Sequence, residues 1–69
     1  MLDVVHIGEN LKRARFKAGL TQQELADKAG TTQTTVARIE TDTVEPEIRT
    51  IRKLAAALDV RIPELLPYD

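Results

Sequence analysis

The stretch TQQELADKAGTTQTTVARIE, residues 21–40, decides the fold. It holds two short helical patterns with a single glycine and two threonines between them. Thr21-Gln22-Gln23-Glu24 opens the first as a capping box. The threonine oxygen accepts from a free amide of the first turn, and the glutamate reaches back to the amide of the cap residue. Leu25, Ala26 and Ala29 give this helix its buried stripe. Gly30 ends it, and Thr32 is then free to cap the second helix, in which Val36 and Ile39 face inward. Only Gly30 and Thr31 separate the end of one helix from the cap of the next. So tight a turn crosses two helices steeply instead of laying them side by side, and Ala26 is small enough for a close crossing. The outward side of the second helix then carries Gln33 and Thr34 and, one turn on, Ala37 and Arg38. Thr35 completes a polar run at its start, which a helix that only fills a core does not need.

The flanking segments read as further helices. Val4, Ile7, Leu11 and Ala14 recur at three- and four-residue steps, which predicts a helix over 4–18 with Asp3 as N-cap. Gly19 followed by Leu20 is its stop. Residues 42–46 read as a loop. Ile48, Ile51, Leu54, Ala55 and Leu58 form the apolar face of a fourth helix. Pro63 suits the first turn of a short fifth helix anchored by Leu65 and Leu66. No segment shows the alternation of a strand. The expectation is an all-α, five-helix domain spanning 1–69, with a helix-turn-helix at helices 2 and 3.

Composition narrows the function. A chain of 69 residues has no room for a deep cleft. Serine and cysteine are both absent, and no histidine–acid pair can be inferred, so an activated nucleophile is not expected and the chain is read as no enzyme. His6 is the lone histidine, without companions for a transition-metal site, and no metal or cofactor is expected. The absence of cysteine fits a reducing cytosol. No apolar run is long enough to span a membrane, and MLDVVHIGEN lacks the pattern of a signal peptide. Two aromatic residues are too few for a single-strand stacking platform. The net charge of −1 hides an uneven distribution: KRARFK, residues 12–17, has four of the ten basic side chains, whereas TDTVEPE, residues 41–47, has three acids and no base.

An exposed helix presenting glutamine and arginine fits the major groove of double-stranded DNA, where Gln can pair with adenine and Arg with guanine. The pieces IGENLKRAR, GLTQQELADKAGTTQTTVARIE, EPEIRTIRKLAAALDV and PELL, within residues 7–66, together resemble the Cro/lambda-repressor family of helix-turn-helix domains. GTTQ is especially similar to lambdoid phage repressors. The resemblance implies a cytoplasmic transcriptional regulator, in particular a dimeric repressor. It implies base contacts from Gln33, Thr34 and Arg38, and a buttressing, phosphate-contacting Gln22. It also implies a structural buried salt bridge between Arg15 and Glu40.

Thr21, Thr35, Thr41 and Thr43 are the further backbone-contact candidates, with Arg13 the best phosphate candidate of helix 1. The alternative for all of these is an ordinary solvated helix face. The loop departs from the family. Where members often carry Asn-Gly and then a basic residue, this chain has Thr41-Asp42-Thr43-Val44-Glu45, and Asp42 and Glu45 are expected to face and repel phosphates. Arg49 and Arg52 offer partial compensation. That acidic loop keeps a second class open: a protein-interaction module on the same fold, such as the antitoxin of a toxin–antitoxin pair, with a toxin or another regulator as partner. A restriction-system controller is a third possibility. Phe16 lies off the stripe of helix 1 and is assigned either to packing under a loop or Tyr68, or to a protein partner. Leu65, Leu66 and Tyr68 close the core or form a two-fold interface.

Overall fold

A computed structural model describes residues 7–66. Five helices follow one another, and no strand occurs among the described residues. They are α1 (Gly8–Lys17), α2 (Gln22–Ala29), α3 (Gln33–Glu40), α4 (Ile48–Leu58) and α5 (Ile62–Leu65). Helix α2 packs on both α3 and α4; α1 packs on α3 and α5, and α4 on α5. One core joins them. Leu11 of α1, Leu25 and Ala26 of α2, Val36 of α3, and Leu54 and Leu65 are all without solvent exposure.

The caps form as the residues dictate. Thr21 Oγ1 accepts from Glu24 N at 3.0 Å, and Thr21 N donates to Glu24 Oε1 at 2.8 Å, so the capping box is complete. Thr32 Oγ1 accepts from Thr35 N at 3.2 Å. At the end of α1, Gly19 is left-handed (φ 72°), and Leu20 N donates to Arg15 O at 3.1 Å. Gly30 repeats the device at the end of α2, with Thr31 N bonded to Ala26 O at 2.9 Å. Both close carbonyls that a helix end leaves free.

Three expectations need correction. Helix α1 starts at Gly8, not residue 4; Ile7 is the non-helical cap position and is 1% exposed. Gly8 N donates to Asp42 Oδ1 at 3.1 Å, so the first amide of α1 is capped from the loop after α3. Asp3, His6 and Tyr68 lie outside the described residues. Secondly, Asp42 does not simply face phosphate. It takes the left-handed conformation (φ 58°), which aspartate tolerates better than most side chains, and its carboxylate is engaged by α1. Thirdly, Ile48 is 54% exposed. The buried arc of α4 is set by Ile51, Leu54, Ala55 and Leu58, and Ile48 sits at its edge in the first turn.

Asp42→Ala is expected to lower stability by about 1 kcal/mol through loss of this cap, and Asp42→Asn, which keeps an acceptor oxygen, by only a few tenths. Urea denaturation of both variants checks it. Equal losses would show that the carboxylate charge, and not the acceptor, matters.

Candidate nucleic-acid interface

A chain of polar contacts runs from the core to the outer side of α3. Arg15 is 7% exposed and Glu40 8%, the two buried charged residues among those described. Arg15 Nε donates to Glu40 Oε2 at 2.6 Å and Nη2 to Glu40 Oε1 at 3.0 Å, a bidentate pair. Arg15 Nη1 also donates to Leu20 O at 2.9 Å, tying the pair to the α1–α2 turn. The hydrogen bonding of Arg15 to the Glu40 carboxylate raises the Arg15 pKa above its ordinary value, against the opposing effect of burial. The guanidinium is therefore charged at any working pH.

Glu40 continues outward. Its Oε1 also accepts from Gln22 Nε2 at 3.0 Å, and Gln22 Oε1 accepts from Gln33 Nε2 at 2.9 Å. The carboxylate fixes the polarity of this relay. An ionised carboxylate only accepts, so Gln22 must turn its nitrogen to Glu40 and its oxygen outward. Gln33 must then present nitrogen to Gln22. One N–H of Gln33 is engaged; its oxygen and second N–H remain. One acceptor beside one donor is the pattern that matches adenine N6 and N7 in the major groove.

The other sequence candidates fall into three sets. Thr34 and Arg38 are exposed on α3 with Gln33, and Thr21 and half-buried Gln22 lie at the start of α2. Of these, Gln22 and Gln33 are in direct contact. Thr35 is half-buried, with its hydroxyl 2.9 Å from that of Thr32. Thr41 and Thr43 follow α3, but their donors are engaged. Thr41 Oγ1 donates to Ala37 O at 3.1 Å and to Arg38 O at 3.2 Å. Its proton being used, it accepts from Thr43 Oγ1 at 2.7 Å. The amides of Thr41, Asp42 and Thr43 turn back to the carbonyls of Ala37, Ile39 and Arg38. A phosphate can gain these threonine protons only by exchange. Arg13 makes its contacts within α1. It is exposed on α1, 3.7 Å from Glu9 and bonded to Asn10 Oδ1 at 3.2 Å, and Asn10 in turn holds the Leu65 and Leu66 carbonyls beside α5.

Sequence reasoning missed Gln33 as the partner of the buttressing Gln22, and it missed the Asp42 cap. The first joins residues eleven apart in sequence and has no local signal. The second had one: Asp is among the few side chains that tolerate a left-handed turn. The same signal marks Asp59 (φ 59°), which stops α4 while Val60 N bonds back to Ala55 O.

Known proteins share this fold. The profile of the helix-turn-helix family matches residues 11–65. An uncharacterized HTH-type transcriptional regulator of Archaeoglobus fulgidus is 34% identical over 59 residues, covering 86% of this chain and 84% of that one. YqaE of Bacillus subtilis, also an uncharacterized HTH-type transcriptional regulator, is 40% identical over 58 residues, 84% of this chain. This chain spans 50% of YqaE. Among solved structures, the restriction-modification controller protein C.AhdI of Aeromonas hydrophila superposes with a TM-score of 0.84 at 34% identity, covering 86% of each chain. The biofilm regulator SinR in complex with DNA gives 0.82 at 35% identity, covering 86% of this chain and 95% of that one. No helix among the described residues is long and apolar enough to cross a membrane.

Proposed function

The chain belongs to the helix-turn-helix family, and from that premise we propose that it binds double-stranded DNA sequence-specifically as a transcriptional regulator. One observation carries this reading: the relay from buried Arg15 and Glu40 through Gln22 holds an exposed Gln33 in one hydrogen-bonding orientation. A solvated glutamine on a core-filling helix needs no such support. Helix α3 enters the major groove. Gln33, Thr34 and Arg38 meet base edges, and Thr21, Gln22 and Thr35 position the backbone. Thr41 and Thr43 join them only by exchanging their internal hydrogen bonds, and Arg13, exposed on α1, is a further phosphate candidate.

The protein acts as a repressor and binds as a two-fold dimer in the cytoplasm, with half-site centres ~34 Å apart. Selection from random duplex DNA, at low and physiological salt, tests this reading. A pseudo-palindromic consensus with that spacing is expected, and binding weakens steeply with salt in proportion to the phosphates contacted. A folded protein that yields no consensus at either salt would sink the proposal.

Glu45 and Glu47 favour a second reading, a protein-interaction module of the antitoxin kind. Both are exposed acids without an ion pair among the described residues, close to the end of α3 where a phosphate grip is expected. SinR is also known in a complex with the SinI protein, in a structure that superposes with a TM-score of 0.83 at 35% identity. A co-purifying second protein that masks α3 would support that reading over the first.

A further inference from the structure

Three large apolar side chains stand out of the surface among the described residues: Phe16 at 65%, Val44 at 38% and Ile48 at 54% exposure. Phe16 lies among bases, whereas Val44 and Ile48 flank two acids, with the bases Arg49 and Arg52 following on α4. Phe16 is on the outer face of α1. Lys12 and Arg13 lie one helical turn before it, and Lys17 follows it. Its ring rests 4.6 Å from the Arg15 guanidinium carbon, which holds the ring in place while most of it stays in solvent. Val44 and Ile48 bracket Glu45 and Glu47, just before and at the start of α4. The ion pairs among the described residues are Arg13 with Glu9 and Arg15 with Glu40, so Lys12, Lys17, Glu45 and Glu47 have no ion-pair partner among the described residues.

We propose that two copies of this chain associate through these unlike surfaces, the cationic face of α1 around Phe16 on one copy meeting the acidic 44–48 segment of the other. Charge complementarity selects the occupant. An acidic segment carrying two apolar side chains is what the α1 face lacks, and the chain itself supplies one. The pairing also gives the acids of the loop a role, since next to a nucleic acid they would only repel phosphate. The contact is heterologous, with a different patch on each partner, and is distinct from any two-fold interface that uses one patch twice. Two patches of this size bury less than the 1,200–2,000 Å² or so of a standard stable interface. The association is therefore weak in free solution, roughly in the high-micromolar to millimolar range, and gains effect where copies are held close together. It does not depend on DNA, so it can stand or fall separately from the proposed function.

A charge-swap experiment in the absence of DNA tests it. Amide spectra of 15N-labelled wild type are followed on dilution from about 1 mM, a range set by the weakness argued above. Concentration-dependent shifts are expected at both 12–17 and 44–48. Lys12→Glu/Lys17→Glu and Glu45→Lys/Glu47→Lys each place like charges against each other, and each alone is expected to associate at least about tenfold more weakly. Their mixture pairs an acidic α1 with a basic loop, and a basic α1 with an acidic loop. The shifts at both segments are expected to return on mixing, and the spectra report that each variant is folded. Wild type whose shifts at the two segments do not change on dilution would overturn the inference. So would a mixture that behaves as the sum of its parts, or self-association unaffected by either swap.

Discussion

Arg15→Met is expected to destabilise the domain by about 3–5 kcal/mol. The Glu40 side chain is 1% exposed, and two of its hydrogen bonds come from Arg15. Truncating the cation leaves a buried carboxylate with Gln22 as its remaining side-chain partner. That penalty is a large share of the total stability of a domain this small, on the order of 5 kcal/mol. Each kcal/mol lowers Tm by about 4–8 °C at this size, so a fall of more than about 12 °C is expected in thermal denaturation. The double variant Arg15→Met/Glu40→Leu should recover most of the loss, because an apolar pair of similar volume often replaces a buried ion pair without penalty. A single-variant loss below about 1 kcal/mol, the size typical of an exposed pair, would show that water reaches Glu40. The double variant also separates stability from positioning. It should fold, yet Gln22 loses the acceptor that sets its polarity, so base selectivity should fall even as Tm returns.

Gly8→Ala should destabilise by about 2 kcal/mol net, although helix propensity alone favours alanine by about 1 kcal/mol. A Cβ at residue 8 would sit 2.4 Å from Glu40 O, 2.7 Å from Ile39 O and 2.8 Å from Asp42 Oδ1. The first two are backbone atoms at the end of α3 and cannot swing aside like a flexible side chain. Relief requires α1 and α3 to part, which also disturbs the Arg15–Glu40 pair. Urea denaturation measures the effect. A stabilised Gly8→Ala would mean that the two helices are not held in close contact at this point.

The fold was legible where single residues carry the instruction. The box at Thr21 and Glu24, the stops at Gly19 and Gly30, the cap at Thr32 and the proline of α5 all act within a few residues of themselves. Ile48 was misread because apolar periodicity does not say where a buried arc ends. The start of α1 was misread for a different reason. Its boundary is set by Asp42, thirty-four residues away, through a bond to Gly8 that no local pattern announces. The site divides in the same way. Outward placement of Gln33, Thr34 and Arg38 follows from the inward Val36 and Ile39. The Arg15–Glu40 pair came from family resemblance, since two charges twenty-five residues apart carry no spacing signal. The orientation of Gln33 required coordinates, because it depends on which end of the Gln22 amide meets a carboxylate.

That orientation is the central claim, and the most direct measurement is duplex selection with Gln33→Ala beside wild type. Wild type is expected to choose adenine at one position in each half-site, and Gln33→Ala to relax that position alone, losing about 1–3 kcal/mol of discrimination there. An unchanged consensus in the folded variant would contradict the account: Gln33 would then be a buttress for Gln22 and not a reader of bases.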